Sequence, residues 1–184
     1  SKFYAFDEET LAAKGGALSV WRHELKAGGG ALLGHHGHFA QKVRASYGYG
    51  AAMWTVGLGV NVGQGVYPIT HYDTTERWLG GDIHSSFRRL LGPIDVTGGI
   101  AWRLNEQTIR RKDADLLGLA GYSREGSFPA MSMGPTATVG WRWLLSARWF
   151  LSFDLEGQGW LRDEGGTLVF RPEGSLDVSL GVDL

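Results

Sequence analysis

The chain has no cysteine, which excludes disulfides, thiolate metal sites and cysteine nucleophiles. It has almost no net charge: 18 Lys and Arg stand against 19 Asp and Glu, giving −1 at pH 7. A nucleic-acid binder carries a basic excess, so no nucleic-acid partner is expected. Lysine is scarce, with five in 184 residues. No basic n-region followed by an apolar h-region appears at Ser1-Lys2-Phe3, so no signal peptide is expected in the chain as given, consistent with a mature form. Long apolar runs are missing too. The longest stretch free of Asp, Glu, Lys and Arg, Ala45 to Tyr72, contains six Gly, a Pro, an Asn and a Gln. Its apolar heart is about a dozen residues, short of the roughly 20 that a transmembrane helix needs.

Glycine and aromatics are abundant. There are 29 Gly, eight Trp, six Tyr and eight Phe, with 43% hydrophobic and 20% charged residues. This is the composition of a folded domain, and the length suits a single one. No Gly-X-Y period is present, so collagen is excluded. Glycine with aromatics favours short strands and tight turns over long helices.

The patterning has period two, the repeat of a strand with two unlike faces. Ala52, Trp54, Val56, Leu58, Val60 and Val62 alternate with Ala51, Met53, Thr55, Gly57, Gly59 and Asn61. Ile94, Val96, Ile100, Trp102 and Leu104 oppose Asp95, Thr97, Gly99, Ala101 and Arg103. Leu176, Val178, Leu180, Val182 and Leu184 alternate with Ser175, Asp177, Ser179, Gly181 and Asp183. Similar but shorter patterns place strands elsewhere. Eight are predicted: 17–27, 32–46, 51–62, 77–91, 94–104, 135–144, 148–161 and 175–184. Tight turns are predicted at 91–93 and 145–147, and long loops at 63–76, 105–134 and 162–174, which hold Gly and Pro.

Eight alternating strands, with long loops at one end and tight turns at the other, predict an all-β fold. It is an eight-stranded antiparallel up-and-down transmembrane β-barrel spanning 1–184 as one domain. A soluble barrel binding an apolar ligand alternates too, with its apolar face inside. Three features favour an apolar face turned outward. The polar faces are rich in small residues such as Gly57, Gly59, Gly99, Gly140 and Gly181. Lysine is scarce. Tyr47, Tyr49, Trp78, Trp102, Trp141, Trp143, Trp149 and Trp160 sit towards strand ends, where membrane barrels carry aromatic girdles.

In these features the chain resembles the small eight-stranded bacterial outer-membrane proteins, of the type of the transmembrane domain of outer-membrane protein A. The resemblance is architectural and covers nearly the whole chain. It implies the outer membrane as location, membrane lipid and lipopolysaccharide as surroundings, and a structural or surface-interaction role without enzymatic activity or cofactor.

Within such a barrel the polar faces supply a lumen charge network of Arg88, Arg103, Arg142 and Arg148 with Asp95, Asp154, Glu156 and Asp177. Eight strands leave room only for side chains. His36 and His38, at i and i+2, are weak metal candidates; no zinc-type spacing supports them, and no metal is expected. Asp82, His84 and Ser86 share one face. The His84-Ser85-Ser86 spacing resembles that of outer-membrane lipid A deacylases, whose Ser and His stand one residue apart, which implies an acyl hydrolase as the alternative function. Asp82 and Arg88 on the same face turn it towards the lumen, and no oxyanion hole is evident beside Ser86. The 105–134 loop carries four positive and four negative residues. With its neighbours it offers Tyr72, Asp73, Arg110, Arg111, Tyr122, Arg124 and Phe128 as candidate surface contacts.

Overall fold

The computed structural model describes residues 21–34, 38–51, 53–69, 72–111, 126–163 and 167–184. Eight strands form: β1 (Arg22–Gly34), β2 (Phe39–Gly50), β3 (Trp54–Ile69), β4 (Tyr72–Leu91), β5 (Ile94–Arg111), β6 (Gly126–Leu144), β7 (Trp149–Asp163) and β8 (Leu168–Asp183). Each pairs antiparallel with the next, and β8 pairs with β1, closing the barrel. Closure leaves no open sheet edge, which a hydrocarbon environment demands.

The register fixes the shape. A row of facing residues leaves β3 at Trp54 and passes through Phe87, Val96, Val139, Leu155, Leu176, Ala31 and Gln41. It returns to β3 at Gln64, ten residues beyond its start. A shear of ten over eight strands tilts them by about 40° at ordinary strand spacing and rise.

Outward positions are apolar. Trp54, Val56, Leu58, Ile100, Val139, Leu176 and Leu180 are all exposed on the outer wall. Val96 and Leu151, half-buried, share that face with their partners Val139 and Leu180. A soluble barrel holding an apolar ligand requires the reverse facing, and the polar interior overturns that alternative. On β3 the apolar outer face runs from Trp54 to Val62, and on β4 from Phe87 to Leu79, where Ser85 accepts a hydrogen bond from Trp54 Nε1 at 2.7 Å. Exposed Gln64 and Arg77 follow. Nine residues match the roughly 9–11 of a tilted spanning strand. At the other end of this belt lie exposed Tyr47, Tyr49, Trp141, Trp143 and Trp149.

Several boundaries differ from the sequence expectation. The first strand is 22–34 rather than 17–27, and the second 39–50 rather than 32–46; residues 17–20 lie outside the described residues. Gly28, Gly29 and Gly30 give β1 no apolar contrast to read. The expected long loops are largely strand. Of 63–76, only 70–71 lies outside β3 and β4. The expected loop 105–134 lends its first seven residues to β5 and its last nine to β6, and β8 begins at Leu168 inside the expected loop 162–174. Above the apolar belt both faces carry polar residues, as in Thr74 and Thr75 or Gln107 and Thr108. The period-two contrast vanishes there while backbone pairing continues.

The expected turn at 91–93 forms at 92–93, where Gly92 takes a φ of 71°, a value that L side chains rarely adopt. Close packing needs another glycine. A Cβ on Gly181 would collide with the ring of Phe150, which lies fully buried inside the barrel.

Candidate functional site

The interior is filled in three layers. In the layer nearest the strand ends at Arg22 and Asp183, Arg142 is central. Its Nε donates to Asp95 at 2.8 Å and its Nη2 to Glu24 at 2.6 Å. Its guanidinium lies 3.8 Å over the Phe150 ring. Arg88 reaches the same Glu24 at 2.7 Å and Asp183 at 3.5 Å. Two arginines therefore share three carboxylates, and an aromatic ring closes the side that no carboxylate covers.

The middle layer is denser in charge. Lys42 is buried between Glu156 and Asp177, the latter at 2.9 Å, and donates to Ser175 at 2.7 Å. Lys26 pairs with Asp154 at 2.5 Å, and Arg44 with Asp82 at 2.8 Å and Glu156 at 3.5 Å. Ser152 and Thr136 donate to the remaining carboxylate oxygens of Asp154 and Glu156. Desolvated charges are tolerated in this way, each with an opposite charge and further hydrogen bonds. A cavity of about 50 Å³ remains, lined among others by Glu24, Lys26, Arg44, His84 and Asp154. It has room for a water or two.

The upper layer joins charge to aromatic rings. The Arg103 guanidinium sits between Trp78 and Trp160, 4.5 and 4.2 Å from their ring centres. It pairs with Glu173 at 3.0 Å. Trp160 Nε1 donates to the same Glu173 and Trp78 Nε1 to Asn61, so both indoles are held in place. Buried His38 lies between Glu76 at 3.5 Å and Glu173 at 3.7 Å, and Asn105 donates to Glu76 at 2.8 Å.

Of the residues expected in the lumen, Arg88, Arg103, Arg142, Asp95, Asp154, Glu156 and Asp177 line these layers. The partner of Arg103 is Glu173, which lies in a segment expected to be loop. Arg148 is placed elsewhere. It is exposed in the bend at 145–148, where Ser146 Oγ accepts from the N–H groups of Arg148 and Trp149. That local turn starts β7 one residue later than the expected 148. Glu24, Lys26, Glu76 and Glu173 lay in segments read as irregular strand or loop. Trp78 and Trp160 were expected in the girdle, yet they are only 5% and 4% exposed, inside the barrel. Their parity carried the signal: both alternate with outward leucines, Leu79 and Leu161.

The structure brings Asp82 and His84 together, with Asp82 Oδ1 2.6 Å from His84 Nδ1. Ser86 Oγ bonds instead to Thr97 Oγ1 at 2.8 Å. His36 lies outside the described residues, and His38 is the buried histidine of the upper layer. Among the described residues no group of three His, Asp or Glu is placed to hold a metal ion. Of the surface candidates, the register sets Tyr72 opposite Arg111 and Asp73 opposite Arg110 at the end of the β4–β5 ladder. Phe128 stands opposite Gln107 on β6, and Tyr122 and Arg124 lie outside the described residues.

No protein-family model matches the chain, and no curated protein sequence does. Solved structures do. Neisserial surface protein A superposes with a TM-score of 0.52 at 14% identity, over 88% of this chain and 96% of that one. Ail, the attachment invasion locus protein of Yersinia pestis, solved with the heparin analogue sucrose octasulfate, gives 0.57 at 9% identity over 89% and 99%. With its closed eight-strand topology and apolar outer wall, the chain has the fold of the small eight-stranded outer-membrane β-barrels.

Proposed function

We propose that the chain is an integral protein of the bacterial outer membrane, without enzymatic activity, whose lumen is closed and whose work is done at the surface by the rim where β4, β5 and β6 end. The carrying observation is the division of side chains: the outer wall is apolar over one membrane thickness, and the interior is packed with paired charges. The connections at one end of the barrel, 51–53, 92–93 and 145–148, are all short; those at the other, 35–38, 70–71, 112–125 and 164–167, include the one long segment between strands. Outer-membrane barrels put short turns in the periplasm and longer loops outside. The rim with Tyr72, Asp73, Arg110 and Arg111 then faces outward, above lipopolysaccharide.

The boundaries define the test. Replacing 112–125 with a short Gly-Ser linker leaves β5 to Arg111 and β6 from Gly126 intact. The variant is expected to keep the heat-modifiable band of a folded barrel in vesicles. It is also expected to lose adhesion of proteoliposomes to immobilised polysaccharide and matrix proteins. Adhesion at the wild-type level would refute the rim as the contact site.

A further inference from the structure

The outer wall is not uniform. Four strands meet in a row that reads Leu180, Ala27, Ala45 and Val60, large, small, small, large. The row beneath it, Val182, Leu25, Tyr47 and Leu58, is large throughout. Two alanines between taller neighbours make a trench. Its volume is about 700 Å³, and Trp149 stands at its lower end. Val60 lies six residues above the girdle residue Trp54 on β3. At a rise of about 3.3 Å per residue and a tilt of about 40°, that is about 15 Å along the barrel axis, the depth of one leaflet.

The foot of the trench is polar and cationic. Tyr47, one of its walls, places its hydroxyl 2.6 Å from His23 Nδ1. Arg148 is exposed beside the end of β8, whose Asp183 N–H donates to its carbonyl, while Arg22 has the inward parity of Glu24 and its charge acts on Asp183 at the lumen mouth. The carboxylates of that end, Glu24, Asp95 and Asp183, are all drawn inward by Arg88 and Arg142. Among the described residues, the exposed charges here are thus of one sign, at the depth of lipid phosphates.

We propose that this trench is a binding site for one anionic phospholipid of the periplasmic leaflet. An acyl chain lies over Ala27 and Ala45, and the phosphate meets Arg148 and the His23–Tyr47 pair. The proposal rests on the membrane-barrel reading and names a specific lipid position within it.

The test is native mass spectrometry of the full chain released from nanodiscs holding equal phosphatidylglycerol and phosphatidylcholine. One phosphatidylglycerol is expected to stay with each barrel. Arg148→Ala should lower its retention about fivefold, one basic contact being lost. Ala27→Trp should fill the trench and abolish retention, while Val139→Trp, far around the wall, should leave it unchanged. Unaltered retention in Ala27→Trp would overturn the site. So would equal retention of both lipids, or a protein dimer broken by Ala27→Trp, which would make the trench an interface between copies. Failure of the wild-type chain to insert, read from the absence of a heat-modifiable band, would overturn the membrane-barrel reading and this proposal with it.

Discussion

Arg142 ties four strands together across the lower lumen. It bonds Glu24 and Asp95 and covers Phe150, and all four belong to different strands. Truncation leaves two inward carboxylates short of their shared cation, and breaking a buried pair from one side costs about 3–5 kcal/mol. Arg142→Ala is expected to lose that much stability in urea unfolding from vesicles. Arg142→Lys should recover part of it, since an ammonium keeps the charge without the planar fork and ring stacking. Arg148→Ala, in phosphatidylcholine vesicles that offer no anionic lipid, is the control. That side chain is exposed in a bend, and its loss should stay within about 0.5 kcal/mol. Equal effects at 142 and 148 would refute the layered lumen. At Ser86 the geometry points away from acyl chemistry: the hydroxyl bonds Thr97 and sits on a face turned into the barrel, where the cavity is about 50 Å³.

At the scale of a strand, facing decides the cost of a substitution. Leu155 is outward on β7 and its neighbours Asp154 and Glu156 are inward. Leu155→Arg is expected to cost about 2–4 kcal/mol, the range for a cation near the bilayer midplane. The same unfolding assay checks it, and a neutral result would mean that this wall does not meet lipid. Alternation made the spanning parts of β3, β5 and β8 legible in the sequence, because an apolar outside and a small or polar inside differ sharply there. It failed in β1, where small residues occupy both faces, and in the upper strand ends, where both faces are polar. Lumen arginines were legible from parity. Trp78 and Trp160 were not, because an indole near a strand end suits an interfacial girdle as well as a lumen, and only their alternation with Leu79 and Leu161 separates the two. Glu173, the partner of Arg103, was hidden inside a segment with Gly and Pro that reads as loop. Pairing across the barrel depends on the register of the whole sheet, and one strand alone does not encode it.

The whole molecule behaves as a tube filled at three levels. A shear of ten sets its width, and eight strands leave space only for side chains. Arg103 between Trp78 and Trp160 fills the upper end, and Arg142 against Phe150 fills the lower. The paired charges of the middle layer lie between these stops, around the small cavity. Obstructions in series are not additive in their effect on current, because the narrower one left in place sets the resistance. The intact protein is therefore expected to show no stable conductance steps in planar bilayers. Phe150→Ala alone should stay silent because the tryptophan pair still closes the tube, and Trp78→Ala with Trp160→Ala should stay silent because Phe150 does. Combining all three opens both ends but leaves the paired charges of the middle layer, whose cavity of about 50 Å³ holds no more than a water or two, so it is expected to stay silent as well, with far-UV circular dichroism showing the barrel intact. Steady currents from the wild type or from any of these variants would refute the plugged lumen.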